Sequence, residues 1–243
     1  MHLIKVDAIG STNSFAREMF RENPAISPTC VLAYRQFQGR GQRGTSWQSE
    51  PGKNLTISLL YPNPGILPED QFLISAAVST GLLEGLRDQG VPALHLKWPN
   101  DIMAGAQKLG GILIENVIVE GKIAATIVGI GLNVNQKNFD NLPLATSMLL
   151  KTGKGYAVEN LLHDLLPFLE EALRTVSVSR SMHILERYSR HLFKLGLTST
   201  FQRPDGRMVT GIIKGVTPKG KLILEIGPGE QALFDLKEIS LLY

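Results

Sequence analysis

The chain carries three clusters of glycine and polar residues, and the first is a loop whose composition suits an anionic ligand. This loop, residues 39–44, has the sequence GRGQRG and is followed by Trp47. Its glycines let backbone N–H groups approach a ligand closely, while Arg40 and Arg43 add positive charge. The loop is therefore predicted to bind a phosphate or a carboxylate; a mobile basic surface loop is the alternative.

The second cluster combines a cation with an amide and a carboxylate. The sequence KWPND places Lys97 after an apolar segment and three and four residues before Asn100 and Asp101. Lys108 comes seven residues later. The proline of this run constrains a turn, which holds these groups in one place. They could bind a phosphate or a metal ion such as magnesium, which prefers oxygen ligands. A turn with a surface ion pair is the alternative.

The third cluster is residues 129–135, with the sequence GIGLNVN. Glycines in a strand let a ligand or a neighbouring strand approach the backbone, and Asn133 supplies an amide near the end of this strand. A strand kinked by glycine without any function is the alternative.

Two glycine patterns resemble nucleotide-binding motifs but lack their context. Residues 39–44 have the spacing of a dinucleotide-binding fingerprint, which must open directly onto a helix, and TSWQS follows instead. Residues 215–221 resemble a phosphate-binding loop, but leucine stands where serine or threonine is needed, so a hairpin turn is predicted. The five histidines show no zinc-ligand spacing.

The elements that position these clusters are strands and helices in mixed order. Apolar, β-branched segments predict strands at residues 29–34, 55–61, 94–98, 111–120 and 122–134. Caps and helical spacing predict helices after Ser11, from Pro68 onward, and at residues 72–86, 158–176 and 181–193. From about residue 197, short segments divided by Asp-Gly, Lys-Gly and Pro-Gly pairs predict a small all-β region.

Composition limits the class of protein. With 243 residues, of which 43% are hydrophobic, the chain can bury one substantial core with a small satellite domain. The net charge of +3 is a small excess, which does not indicate nucleic-acid binding. The lone Cys30 fits a reducing compartment. We find no signal peptide and no apolar run that could span a membrane, so a cytoplasmic protein without a membrane partner is expected.

Taken in order, these motifs resemble the successive signatures of biotin-protein ligases. The resemblance rests on Ser11-Thr12-Asn13, the loop 39–44 with Trp47, KWPND, Lys108 with the following GGIL, and residues 129–135. It implies an α+β fold: a mixed β-sheet backed by helices, like class II synthetases, with a small C-terminal SH3-like β-barrel. The implied domains are a catalytic domain at residues 1–190 and the SH3-like domain at residues 191–243.

The resemblance also implies roles for individual residues. It assigns biotin binding to Ser11, Thr12, Asn13, Gln36, Gly39, Arg40, Gly41, Gln42, Lys97 and Gly111. It assigns ATP binding to Arg40, Arg43, Trp47, Asn100, Lys108 and Asn133, with Trp47 stacked on adenine. It assigns catalysis to Lys97, Arg40, Asp101 and Lys108, with Asp101 as a candidate Mg²⁺ ligand. Many relatives have arginine at the positions of Gln42 and Thr45, so two cations of this loop are missing here.

The implied reaction uses ATP and Mg²⁺ to form biotinyl-5'-AMP, which then biotinylates a lysine of the biotin carboxyl carrier protein domain of acetyl-CoA carboxylase. Because the first matched residue is Ser11, no DNA-binding domain and no repressor function are expected. A homodimer formed through the sheet is expected by resemblance. A lipoate-protein ligase and a catalytically inactive biotin-binding module are the alternatives.

Overall fold

The computed structural model describes residues 1–140 and 142–243, apart from the side chain of Arg43. Within these residues a seven-stranded sheet has the order β1-β2-β3-β7-β6-β5-β4. Its strands are β1 (His2–Ile9), β2 (Thr29–Gln36), β3 (Leu55–Pro62), β4 (Leu94–Lys97), β5 (Asp101–Ala104), β6 (Gln107–Val119) and β7 (Lys122–Leu132). Strand β1 is parallel to β2 and the other neighbours are antiparallel, so the sheet is mixed as predicted.

Helices cover both faces of this sheet. They are α1 (Thr12–Glu22), α2 (Phe72–Asp88), α3 (Met148–Thr152), α4 (Val158–Thr175) and α5 (Ser181–Arg190). On one face α2 packs against α4 and α5, and a stripe of leucines on α4 is buried from Leu161 to Leu173. On the other face α1 lies over β2, β3 and β7, where Ala16 and Phe20 form a smaller apolar cluster with Ile127. Among the described helices, none is long and apolar enough to cross a membrane.

The C-terminal region is all-β, as predicted from about residue 197. Strands β8 (Thr198–Gln202), β9 (Met208–Val216), β10 (Leu222–Gly227), β11 (Glu230–Phe234) and β12 (Ser240–Leu242) form an antiparallel sheet of order β11-β10-β9-β8-β12. Gly206, Gly220 and Gly229 take positive φ in its turns, which explains the glycine pairs of the sequence. The motif at residues 215–221 is the β9–β10 turn, so the hairpin prediction is confirmed. The SH3-like classification and the boundary at residue 190 stay predictions.

The sequence did not predict strands β1 and β5, and some predicted ends of helices and strands were wrong. Strand β1 mixes Lys5 and Asp7 into its alternation because it is an edge strand with one partner, and β5 has only four residues. Strand β6 begins at Gln107, four residues before its predicted start. Pro68 begins a short 3₁₀ turn, since a proline without an N–H suits a first turn, and α2 itself starts at Phe72.

Candidate functional site

The site is organised by one row of paired residues across the central sheet. Thr56 on β3 pairs with Gly131 on β7, which pairs with Gly111 on β6. Gly111 pairs with Asp101 on β5, and Asp101 pairs with Lys97 on β4. Directly paired residues project from the same face of a sheet. Thr56 and residues from or beside the second and third sequence clusters are therefore brought to one face.

Glycines on β7 make room on this face. Ala125 and Ile127 are buried under α1, whereas the next residues on the same face are Gly129 and Gly131. A Cβ atom at Gly129 would lie 2.5 Å from Asn13 Oδ1, and one at Gly131 would overlap the indole ring of Trp47. The glycines are thus required for the N-terminus of α1 and for Trp47 to lie against the sheet.

A cavity of about 230 Å³ lies over these glycines. It brings together most of the predicted site residues: Ser11, Thr12, Asn13, Gln36, Arg40, Gly41, Gln42, Trp47, Asn100, Asp101, Lys108 and Gly111. They come from α1, from the ends of β2, β5 and β6, and from the loop after β2. Residues separated by up to one hundred positions in the sequence therefore form one site.

One end of the cavity is neutral and polar. Ser11 caps α1 by accepting a hydrogen bond from the backbone N–H of Ser14. The backbone N–H of Thr12 donates to Gln36 Oε1 at 2.9 Å. The buried hydroxyl of Ser58 lies 2.7 Å from Thr12 Oγ1 and donates to Asn13 Oδ1 at 2.5 Å. This end offers uncharged donors and acceptors in fixed directions, which suit a neutral polar ring.

The glycine-rich loop forms one wall of the cavity. Gly41 N–H donates to the carbonyl of Thr45 at 2.7 Å, and the Thr45 hydroxyl donates to the carbonyl of Gln42 at 2.8 Å. A Cβ atom at Gly39 would overlap the carbonyl of Trp47, so this position requires glycine, although Gly39 does not itself line the cavity. Residues Gln42–Gly44 form a single 3₁₀ turn and no longer helix follows, which confirms that the loop is not a dinucleotide-binding fingerprint.

The other end of the cavity is charged. Lys108 Nζ lies 2.6 Å from Asp101 Oδ1, and Lys97 Nζ lies 3.6 Å from Asp101 Oδ2. Lys108 lines the cavity, whereas Lys97 lies behind Asp101 and lines a second cavity of about 160 Å³ next to the C-terminal sheet. There Lys97 Nζ donates to the hydroxyl of Tyr243 at 3.3 Å and lies 4.7 Å from the centre of its ring. The structure thus separates the two lysines.

Besides Lys97, three predicted site residues have no described side chain that lines the main cavity. Asn133 is buried and donates to the carbonyl of Thr146 at 3.0 Å, so its amide is already used within the fold. Gly39 lies behind the loop wall. The side chain of Arg43 falls outside the described part of the chain. Their assigned roles in ligand binding stay predictions.

Trp47 carries an unused donor. Its indole Nε1 is buried and has no hydrogen-bond partner among the residues that the structure describes. A buried donor without a partner costs free energy, so a hydrogen bond to an acceptor would stabilise Trp47 in this position. Lys108 Nζ lies 5.9 Å from the centre of the Trp47 ring. Trp47 and Lys108 therefore face the same space.

Several residues that support the site were missed from the sequence. Glu115 on β6 accepts from Asn13 and Arg40, and Ser58 links Asn13 to Thr12. Tyr188, from α5, donates to the carbonyl of Pro99 at 3.3 Å, and burial raises the pKa of its phenol so that it stays a neutral donor. A glutamate inside the apolar strand ILIENV was the one signal that could have identified Glu115. Among the described residues, no group of three or more His, Cys, Asp or Glu side chains could hold a metal ion.

Comparisons with known proteins find a matching family and several relatives. Residues 6–133 match the biotin/lipoate A/B protein ligase family. The bifunctional ligase/repressor BirA of Bacillus spizizenii is 29% identical over 239 residues, which cover 96% of this chain and 72% of that protein. The biotin--[acetyl-CoA-carboxylase] ligase of Mycobacterium tuberculosis is 27% identical over 221 residues, which cover 90% of this chain and 81% of that protein.

A solved structure is similar over nearly the whole chain. The biotin protein ligase from Aquifex aeolicus in complex with biotin and ATP has a TM-score of 0.81 at 25% identity. The match covers 99% of this chain and 98% of that one. Both sheets described above therefore fall within the shared fold.

Proposed function

The chain belongs to the biotin/lipoate A/B protein ligase family, and from this premise we propose that it activates biotin with ATP and transfers it to a lysine of a carrier protein. The observation that carries the proposal is the cavity itself, which joins a neutral hydrogen-bonding end to a charged end that contains Lys108. Thr56 and Asp101 are three strands apart on the same row, which corresponds to roughly 14 Å. A molecule with a neutral polar ring at one end and a carboxylate at the other suits this arrangement.

The neutral end would bind the ureido ring of biotin. Ser11, Thr12, Asn13 and Gln36 supply hydroxyl and amide groups there. An apolar acid such as lipoate offers these groups no hydrogen bonds, and buried polar groups left unpaired are costly. This end therefore favours biotin over lipoate.

The charged end would perform the first step. A carboxylate oxygen of biotin attacks the α-phosphorus of ATP, pyrophosphate leaves, and biotinyl-5'-AMP is formed. Negative charge grows on the phosphoryl oxygens during this attack, and a fixed cation stabilises that charge. Lys108 lines the cavity and is the lysine best placed to do this, whereas the Arg40 guanidinium is paired with Glu115 beside the neutral end. Lys97 would act from behind Asp101, on the side of the C-terminal sheet.

Magnesium fits the charged end in part. Asp101 is the one carboxylate among the described residues that line the cavity, and both of its oxygens lie close to lysine ammonium groups. Magnesium is commonly held by one or two carboxylates together with substrate phosphates and water. Asp101 would hold Mg²⁺ with the nucleotide supplying other ligands, and the ion would neutralise phosphate charge.

The second step would join biotin to the carrier. The amine of a carrier lysine attacks the carbonyl carbon of biotinyl-5'-AMP, and AMP leaves. The reaction needs no covalent bond to the enzyme, so the tasks of this chain are positioning and exclusion of water. The glycine-rich loop, which already forms one cavity wall, would protect the mixed anhydride. We propose the biotin carboxyl carrier protein domain of acetyl-CoA carboxylase as the acceptor.

Pyrophosphate exchange tests the first step. Labelled pyrophosphate should appear in ATP only when biotin is present, and lipoate assayed in parallel should support little or no exchange. Exchange with lipoate but not with biotin would overturn the proposal in favour of a lipoate ligase. Binding of biotin without any exchange would identify an inactive biotin-binding module. Transfer is tested by biotinylation of a carrier domain, with a Lys→Arg change at the acceptor position as the control.

A further inference from the structure

Glu115 lies on the same face of the sheet as the cavity but does not line it. Its side chain is 22% exposed. One oxygen, Oε2, accepts from Asn13 Nδ2 at 2.8 Å and from Arg40 Nη2 at 3.1 Å. The other, Oε1, lies 3.1 Å from Arg17 Nη2. A single carboxylate therefore contacts α1, the glycine-rich loop and the amide that borders the neutral end of the cavity.

The carboxylate determines which way the Asn13 amide faces. A carboxylate and a backbone carbonyl can only accept hydrogen bonds, and Asn13 Nδ2 lies 2.8 Å from Glu115 and 3.4 Å from the carbonyl of Leu113. The nitrogen of Asn13 must therefore face β6. Its oxygen then faces Ser58, and the absence of a side chain at Gly129 leaves room for it.

The orientation of the Asn13 amide also determines the direction of the hydrogen bond between Ser58 and Thr12. Asn13 Oδ1 can only accept, so the Ser58 hydroxyl, 2.5 Å away, gives its single hydrogen to it. Ser58 Oγ is then left as an acceptor for the Thr12 hydroxyl, which lies 2.7 Å away. The Thr12 hydroxyl is also 3.2 Å from Gln36 Oε1, the longer of the two contacts. Because Ser58 is the nearer acceptor, the Thr12 hydroxyl gives its hydrogen to Ser58.

We propose that Glu115 is a positioning residue that sets the hydrogen-bond polarity of the biotin end of the cavity. Because the chain from Glu115 through Asn13 and Ser58 uses the hydrogen of Thr12, the Thr12 oxygen presents lone pairs to the ligand. A ureido N–H requires such an acceptor. The inference rests on the proposed function and adds to it a residue that determines how biotin is recognised.

Glu115→Gln tests the polarity directly. The glutamine has nearly the same shape, but its amide can donate as well as accept, so Asn13 is free to turn over. We expect biotin to bind about tenfold more weakly, as for the loss of one hydrogen bond. ATP affinity should change by less than about twofold, because the amide oxygen introduced at this position can still accept from Arg40. Arg17→Gln is the matched control, because Arg17 contacts the opposite oxygen of Glu115 and should leave biotin affinity unchanged.

A double-mutant cycle separates this role from a general structural one. Ser58→Ala interrupts the same chain beyond Asn13, retains every charge and should weaken biotin binding by a similar factor. Residues in one hydrogen-bond network do not act additively, so the double variant should bind biotin no more than about twofold more weakly than Glu115→Gln. If Glu115→Gln does not fold, Ser58→Ala with its biotin-specific loss still tests the chain.

The outcomes are distinguishable by calorimetry with biotin and with ATP. Unchanged biotin affinity in Glu115→Gln, equal losses for biotin and ATP, or strict additivity with Ser58→Ala would each overturn the inference while the wild type still binds biotin. A wild-type protein that binds no biotin would overturn the proposed function, and this inference with it.

Discussion

The two faces of the central sheet are built from the same strands but differ in what their residues do. On β7, Val128, Ile130 and Leu132 are buried against the helical layer of α2 and α4. The residues between them, Gly129 and Gly131, face the cavity. One face is filled by large apolar side chains, whereas the other has glycines, without side chains, at the positions where a ligand would lie.

The comparison shows how the alternation of side chains along a strand separates residues that stabilise the fold from residues that line the site. Successive residues of a strand point to opposite faces, so a substitution on one face need not disturb the other. The apolar face can supply the burial that holds the sheet together, while the cavity face carries polar groups and glycines that contribute little to the core. Each variant below is chosen to test whether this division holds.

The largest expected effect is at the charged end of the cavity face. Lys108→Met should lower biotin-dependent pyrophosphate exchange by about 10²- to 10³-fold, because a fixed cation that stabilises phosphoryl charge is lost. Lys122→Met, at the exposed start of β7, is the control and should leave exchange unchanged. Lys97→Met should have the smaller effect, since Lys97 lies behind Asp101. A larger effect at Lys97 would locate the phosphate on the other side of Asp101.

Adjacent residues of β7 provide the most direct comparison of the two faces. Gly131→Val should weaken ATP binding about tenfold or more, because the new side chain overlaps Trp47 and overpacking costs roughly 1–3 kcal/mol. Ile130→Val, on the apolar face, should lower the free energy of unfolding by about 0.5–1.5 kcal/mol and leave ligand affinity unchanged. Calorimetry and urea denaturation measure the two quantities. Weaker ATP binding in Ile130→Val would show that the faces are coupled.

Trp47→Ala sharpens the comparison within the cavity face. Stacking on a base contributes about 1–3 kcal/mol, so this variant should weaken the binding of ATP and biotinyl-5'-AMP by that amount and spare biotin. Titration with each ligand separately gives the answer, and Trp47→Phe keeps a stacking ring while removing the unpartnered N–H. An equal loss for biotin would be inconsistent with the adenine assignment.

The smallest expected effect concerns Cys30, which is buried on the apolar face. Burial raises the pKa of its thiol to about 12. In the unfolded chain the thiol ionises near pH 8.5, so between that pH and about 12 the folded state binds more protons and the free energy of unfolding falls as pH rises. Urea denaturation at pH 8 and pH 10 should show a steeper decrease for the wild type than for Cys30→Ala. Equal slopes would mean that Cys30 is solvated.

Much of the fold and site could be predicted because local patterns are informative here. Ser11 is a typical helix cap and does begin α1, and the Glu120-Gly121 pair forms the tight turn between β6 and β7, with both residues at positive φ. The glycine and lysine motifs lie in or next to predicted strands. Because these strands belong to one sheet, most of the motifs meet in one cavity.

The remainder depended on pairing between distant segments, which local patterns do not determine. The parallel partner of β1 is β2, whose first residue, Thr29, pairs with His2. The separation of Lys97 from Lys108 arises because Asp101 stands between them and the C-terminal sheet supplies Tyr243. Glu115 was missed for the same reason, because its partners Asn13 and Arg40 come from other elements.

The spacing of the strands fixes distances along the cavity face. These distances can be read along the row of paired residues Thr56, Gly131, Gly111, Asp101 and Lys97. Neighbouring strands are about 4.8 Å apart, so the three steps from Thr56 to Asp101 span roughly 14 Å of the cavity, and Lys97, one step further, lies outside it. If one strand shifted by one residue against its neighbour, its residue in this row would turn to the opposite face of the sheet. The buried helical layer prevents such a shift. An acid with the same ring but a shorter or longer chain would place its carboxylate between two strands and not level with one of these paired residues. Selectivity for chain length would then depend on the spacing of the strands as well as on the side chains that line the cavity.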